Sequence, residues 1–166
     1  MLVISLVVIF AMFAVMAYDL SKFIIPNWLV GGLLLLYPVA VFLAPLSVDW
    51  SFALLGMLIV FAVGYIIFAL GLMGGGDVKL IIVLSLWVGF DKLGGFSFTF
   101  AMFGGLGALL LILIRSIISV IVNDKEKLAK LPRVLRKKEP VPYGVAIAGA
   151  FLWLVWHGEI ATVVFP

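Results

Sequence analysis

The chain has 166 residues, of which 66% are hydrophobic and 11% are charged, and its formal net charge is +3. Its mean hydropathy is +1.38. In a soluble domain, nearly half of the residues are apolar and about one quarter are charged. The composition therefore excludes a soluble domain and predicts a polytopic, all-α membrane protein. Cys is absent, which excludes disulfides, thiolate metal sites and cysteine nucleophiles.

Long uncharged runs predict about six transmembrane helices in a single membrane-embedded domain over 1–166, because a span needs roughly 20 apolar residues. The predicted helices cover 2–19, 27–44, 52–73, 77–91, 96–121 and 143–163. The fourth is the shortest, since only 80–90 is uncharged. At ~1.5 Å per residue this stretch spans about 16 Å of a hydrocarbon core of ~30 Å. Its first residue, Asp77, is therefore expected close to membrane depth.

The distribution of Lys and Arg predicts the orientation. With six spans, the loops at 20–26, 74–79 and 122–142 share one face, and Arg115 would snorkel to it from the fifth helix. That face holds ten of the eleven Lys and Arg residues, all but Lys92. The positive-inside rule makes it cytoplasmic and both termini external. The basic loop at 122–142 is expected to bind anionic lipid headgroups, and without interleaved aromatic residues it does not favour nucleic acid.

Two aspartates at the cytoplasmic ends of predicted helices are the main candidates for chemistry. Asp19 closes the first helix, and Asp77 opens the fourth. A carboxylate in or near hydrocarbon costs about 3 kcal/mol, so each is a functional-site hypothesis by default. Two carboxylates that can meet are the minimum equipment of an aspartic protease. Alternatively, Asp77 could cap the next helix, and Asp19 could simply be an interfacial residue that ends a membrane span. Because both aspartates are predicted on the same face of the membrane, the interpretation as a catalytic pair is favoured.

The run Gly74-Gly75-Gly76 before Asp77 is longer than a helix cap requires. Glycine permits positive φ and close backbone approach. Such a run would let the chain turn sharply at membrane depth and let a peptide backbone come near the carboxylate. A phosphate-binding loop is disfavoured, because no strand precedes the run and no Walker pattern follows.

Three further residues near the aspartates have less specific interpretations. The favoured interpretation of Lys79 is a lysine that snorkels to the membrane interface. The alternative is a cation that biases carboxylate protonation or contacts the substrate. Pro26 ends a tight turn, and Asn27 is predicted to cap the helix that begins at Trp28. Pro26 and Asn27 are interpreted as scaffold rather than chemistry.

The segment Pro142-Tyr143-Gly144 opens the sixth predicted helix. Gly144 allows close helix packing. Tyr143 is expected at the membrane interface, level with both aspartates, with lining of the site as a second role. His157, the single histidine, falls at the outer end of this helix, so neither an HExxH zinc site nor a serine protease is expected. No metal or cofactor is predicted.

In order along the chain, these elements resemble the type IV prepilin peptidases, which are GxGD-type membrane aspartic proteases. The resemblance rests on the Asp that closes the first helix, Ile25-Pro26-Asn27, Gly74-Gly75-Gly76-Asp77-Val78-Lys79-Leu80 and Pro142-Tyr143-Gly144. It implies that Asp19 and Asp77 are the catalytic pair and that Gly74 and Gly76 are the motif glycines that precede Asp77. It also implies a bacterial inner-membrane enzyme that cleaves the leader of a prepilin or pseudopilin whose hydrophobic N-terminal helix stays in the membrane.

Two departures from the family pattern narrow this expectation. Large members carry an insert with paired CxxC motifs between the first two spans and also methylate the new N-terminus. Here only seven residues separate Asp19 from Asn27, and Cys is absent. The chain is therefore similar to the short, peptidase-only branch, such as the enzymes that serve tight-adherence (Flp-type) pili.

Two alternatives stay open at this point. Archaeal preflagellin peptidases share the GxGD chemistry. A non-enzymatic, cation-coupled transporter or assembly component could also use two aspartates at a broken helix. The absence of a visible inverted repeat and the presence of glycines beside only one acid disfavour this second alternative.

Overall fold

The computed structural model describes residues 2–43, 49–122, 131–137 and 139–158, and the described part of the chain contains α-helices and no strand. The helices are α1 (Leu2–Lys22), α2 (Asn27–Leu43), α3 (Trp50–Ala69), α4 (Gly75–Val88), α5 (Leu93–Ile121) and α6 (Tyr143–Trp156), with 3-10 turns at Phe90–Lys92 and Arg133–Leu135. Helices α1, α3 and the unit Phe90–Ile121 are long and apolar enough to cross a membrane. The predicted all-α, polytopic membrane fold is confirmed.

Helix α4 is the most enclosed helix of the bundle. It packs against α2, α3 and α6, and residues 83–88 are all buried. Its 14 residues rise about 21 Å, less than a hydrocarbon core of ~30 Å. Because the neighbouring helices surround it, the backbone of this short helix is shielded by protein and does not have to match the bilayer on its own.

Helix α3 ends four residues before the end of the predicted 52–73 span, and the cause is a glycine. Gly71 has a φ of 69°, and the Leu72 N–H donates to the Ile67 carbonyl at 3.1 Å. This is a Schellman arrangement, which glycine favours because a left-handed residue must follow the helix. The sharp turn expected at the triple glycine therefore lies earlier, at Gly71.

Glycines also end two other helices early. Gly89, with a φ of 76°, follows α4, and Gly158, with a φ of 68°, follows α6. Helix α6 therefore ends at Trp156 rather than at the predicted 163, and residues 159–166 lie outside the described part of the chain.

One face of α1 is buried, mainly against α6 and also against α2. Its buried apolar residues recur every three or four positions, which is one helix face; they are Ile4, Val8, Met12 and Val15. Asp19 follows Val15 by four residues and continues the same face. The apolar spacing of α1 therefore directs this carboxylate into the bundle.

Candidate active site

A cleft of about 590 Å³ opens at the end of the bundle where α1 ends and α4 begins. Its walls come from the α1–α2 turn, the α3–α4 turn and the segment before α6. Asp19 and Asp77 both line this cleft, as do Gly74 and Gly76. The structure thus brings together the two acids that the sequence placed on one face of the membrane.

Asp19 is almost fully buried, with 4% of its surface exposed. The backbone N–H of Val145 donates to Asp19 Oδ2 at 3.2 Å. Val145 is the third residue of α6, so its amide is one of those that a helix cannot satisfy itself. Asp19 therefore supplies an acceptor to the N-terminus of α6, where the helix dipole favours a negative charge.

Gly144 allows α1 and α6 to approach this closely. A Cβ at position 144 would lie 2.8 Å from Asp19 Oδ2 and 3.0 Å from Ile25 Cδ1. The first distance is shorter than real Cβ contacts and the second is tighter than most of them, so a larger residue would have to move its neighbours. The close packing that the sequence suggested for Gly144 thus takes place directly on a carboxylate.

Asp77 is the third residue of α4 and is half-buried. The residue that caps this helix is Gly74, whose backbone is extended and which makes no side-chain cap hydrogen bond. The interpretation of Asp77 as an N-cap is therefore wrong. Its side chain instead lies over Gly74, where a Cβ would be 2.9 Å from Asp77 Oδ2.

The three glycines before Asp77 serve close approach rather than unusual backbone angles. None of them has a positive φ, so that part of the expectation is wrong. A Cβ on Gly75 would lie 3.2 Å from the Phe68 ring, and a Cβ on Gly76 would lie 3.3 Å from Ile25 Cβ. Small residues here let the α1–α2 turn rest on the first turn of α4.

Ile25 is a site-shaping residue to which the sequence assigned no separate role. It is 6% exposed and lies between Gly76 of α4 and Gly144 of α6. Its side chain therefore holds the two helices whose first turns carry or contact the acids. The sequence carried little signal for this role, because Ile25 is one of three consecutive apolar residues before Pro26.

Lys79 and Asn27 meet across the cleft. The Lys79 ammonium donates to Asn27 Oδ1 at 3.2 Å, and both residues line the cleft. Asn27 is the first residue of α2 and not its cap, while the Pro26 carbonyl accepts from the Leu29 N–H at 3.1 Å. The bond from Lys79 ties α4 to the start of α2.

Tyr143, the first residue of α6, also lines the cleft, and Pro142 precedes it at the N-cap position with a φ of −76°. The ring of Pro142 fixes this φ and so restricts the backbone immediately before the helix. Tyr143 is therefore placed where its second predicted role, lining the site, requires it.

Phe23 is a cleft residue that the sequence did not single out. Its φ is 54°, a left-handed angle that is unfavourable for a residue with a Cβ. Its N–H donates to the Asp19 carbonyl at 2.9 Å and ends α1. The Arg133 guanidinium lies 5.3 Å from the centre of the Phe23 ring, so part of the basic loop packs on this turn.

His157 lies far from this chemistry, at the other end of α6, where its Nδ1 is 2.8 Å from the Trp153 carbonyl. Within the described residues, no group of three or more His, Cys, Asp or Glu side chains is arranged to hold a metal ion. The cleft offers two carboxylates, one ammonium group and backbone amides, which suit acid–base chemistry on a carbonyl.

The apolar helical bundle defines an integral membrane protein, and two carboxylates lie together in one of its clefts. The type IV leader peptidase family matches residues 6–123, and the chain belongs to that family. The match includes Asp19, the glycine run and Asp77, whereas Tyr143 and Gly144 lie beyond it. No curated protein and no solved structure matches the chain.

Proposed function

We propose that this leader peptidase is an aspartic endopeptidase whose catalytic pair is Asp19 and Asp77. The observation that carries the proposal is that these two acids, from different helices, line one cleft. The family membership supports leader-peptide hydrolysis, and the cleft contains the two carboxylates that such an aspartic mechanism needs.

The mechanism uses the pair as one acid and one base. The ionised carboxylate takes a proton from water, and the water oxygen attacks the scissile carbonyl carbon. The protonated carboxyl donates its proton to the carbonyl oxygen, which gives a gem-diol intermediate. The C–N bond then breaks as the first carboxyl passes the proton that it took from water to the leaving nitrogen. The second carboxylate takes a proton back from a hydroxyl of the gem-diol, so the products are a carboxylic acid and an amine and the pair regains its one proton. Two like charges in one cleft cannot both ionise cheaply, so the pair shares one proton, and its titration belongs to the pair.

The substrate is a prepilin or pseudopilin-like protein with a class III leader and a hydrophobic helix that stays in the membrane. An apolar groove of about 420 Å³ between α3, α4 and α5 supports this proposal. Met73 lines both this groove and the cleft, so apolar surface continues from the carboxylates along α4. A substrate helix in this groove would present the residues before it to the carboxylate pair.

The proposed location is the bacterial inner membrane, with the cleft at the cytoplasmic face and both termini external. The Lys and Arg bias supports this orientation. The basic loop at 122–142 would contact anionic headgroups at that face; residues 123–130 and 138 of this loop lie outside the described part of the chain. With no Cys and no insert between α1 and α2, the enzyme would cleave without N-methylation.

The variants Asp19→Asn and Asp77→Asn test the proposal. Asn is nearly isosteric with Asp but cannot cycle a proton, so each change should abolish cleavage of a purified pilin-like substrate. The protein should still fold, because an Asn at position 19 can still accept the hydrogen bond from Val145. Both losses should be of similar size, because the two groups act as a unit.

The controls are Asp49→Asn and Asp91→Asn at the other end of the bundle. Asp49 Oδ1 accepts from the Phe52 N–H at 3.3 Å as the cap of α3, and Asn caps a helix as well as Asp does. Both control variants should cleave normally. Near-normal cleavage by Asp19→Asn would show that the aspartic mechanism is wrong.

A further inference from the structure

Arg115, in the last two turns of α5, is buried where a snorkelling residue was expected. Only 5% of its surface is exposed, and its guanidinium donates to three backbone carbonyls. Nε donates to Val134 at 2.9 Å, Nη1 to Glu139 at 2.7 Å and Nη2 to Pro140 at 2.9 Å. The cation is therefore directed into the protein, and the snorkelling interpretation is wrong.

These three bonds satisfy groups that would be costly to leave alone. A buried guanidinium without partners is strongly destabilising, and the three carbonyls supply the partners that it needs. Hydrogen bonds from a charged donor are about twice as strong as neutral ones. The rigid fork of Arg presents several N–H donors at once, so Val134, Glu139 and Pro140 are held against α5.

The segment held by Arg115 leads directly into the site. Pro140, Val141 and Tyr143 line the cleft, and the Val145 amide binds Asp19. Four residues separate Pro140, which Arg115 holds, from Val145, whose amide binds Asp19. Proline at 140 and 142 limits the freedom of the chain between these points.

We infer that Arg115 is a positioning residue for the proposed carboxylate pair. It fixes Val134, Glu139 and Pro140 and thereby the start of α6, the Val145 amide on Asp19 and one wall of the cleft. This inference rests on the proposed function, but the ordering of the segment is a separate, substrate-free property.

The first measurement is a distance and needs no substrate. Because the chain has no Cys, Lys22→Cys and Lys137→Cys introduce a unique pair of exposed spin-label sites, one beside Asp19 and one in the held segment. The distribution of distances between the two spin labels should be narrow when residue 115 is Arg. It should broaden clearly in Arg115→Gln and less in Arg115→Lys, because an ammonium cannot reach three carbonyls at once.

The second measurement is the rate of cleavage by the full chain in detergent or lipid, with Lys92→Gln as the charge-matched control. We expect kcat to fall by about 10- to 100-fold in Arg115→Gln, as for a catalytic group misplaced by ~1 Å. KM should change little, and Arg115→Lys should recover part of kcat. Lys92 lies at the other end of the bundle, so the variant Lys92→Gln should cleave normally.

Each outcome decides between positioning and a purely structural role. An unchanged distance distribution in Arg115→Gln, or a broadened one with unchanged kcat, would overturn the inference. If Arg115→Gln does not insert or fold, Arg115→Lys decides by the same two criteria. If the unsubstituted protein cleaves no pilin-like substrate, the proposed function fails, whereas the distance measurement still tests whether Arg115 orders the segment.

Discussion

The substitution Gly144→Ala tests whether the contact between α1 and α6 sets the position of Asp19. A methyl group at 144 would place its carbon 2.8 Å from Asp19 Oδ2 and 3.0 Å from both Asp19 Cγ and Ile25 Cδ1. Asp19 is buried and holds the Val145 N–H, so it cannot turn away without losing that hydrogen bond. Either the carboxylate moves or α6 moves away from α1.

The size of the effect follows from these distances. Ordinary contact begins at 3.4 Å against the 2.8 Å found here, so the displacement is about 0.6 Å. Catalytic groups must be held within about 0.5 Å of their productive position, and a ~1 Å displacement can cost about 10²-fold in rate. We expect kcat to fall by about 10- to 100-fold and the free energy of unfolding to fall by about 1–3 kcal/mol, as for other overpacked sites.

The assay is cleavage of a full-length pilin-like substrate by purified protein, with thermal unfolding measured on the same samples. Gly149→Ala is the matched control on the same helix. Its Cβ would lie 3.3 Å from Phe103 Cδ2, and this partly exposed ring can move outward. Gly149→Ala should therefore retain kcat near that of the unsubstituted protein.

A particular result would refute this reasoning. If Gly144→Ala cleaves at the unsubstituted rate while remaining folded, the close contact at Asp19 does not matter for the chemistry. A loss of rate of the same size in Gly149→Ala would mean that α6 tolerates no added volume anywhere, and the effect at 144 would say nothing about Asp19.

Two further predictions concern the membrane and the product. A reporter fused within 125–138 should behave as cytoplasmic and one after Pro166 as external, because ten of the eleven Lys and Arg residues lie on one predicted face; a cytoplasmic C-terminus would contradict the proposed orientation. Pilin processed by this protein alone should carry an unmodified new N-terminus, because the chain has no Cys and no insert between α1 and α2; mass spectrometry would show a gain of one methyl group if this is wrong.

The features that the sequence predicted correctly depend on local patterns. Long apolar runs indicate helices because each backbone polar group in a membrane must be satisfied within its own segment. The same runs place Asp19 at the end of the first predicted helix and Asp77 at the start of the fourth, and both acids line one cleft. Family membership also followed from local motifs, above all the glycine run with Asp77.

Helix ends and caps were less predictable, because they depend on which neighbour satisfies the first and last backbone groups. Asn27 has a good capping side chain, yet its side-chain oxygen Oδ1 accepts from the ammonium of Lys79, which lies 52 positions away. Asp77 precedes an apolar run as a cap would, yet Gly74 holds that place. At Asn27 a tertiary contact outweighed the local preference, whereas Asp77 lies within the first turn of α4, three residues after the cap.

The tertiary structure alone decided what each polar group contacts at the site. The bond from Val145 to Asp19 joins residues 126 positions apart, and the spacing within neither helix predicts it. Arg115 looked like a residue that reaches for headgroups, because long cations near helix ends usually do. In the folded chain its guanidinium instead donates to the backbone carbonyls of residues 134, 139 and 140. A sequence shows which side chains can form hydrogen bonds, but the packing of distant segments determines which partners are within reach.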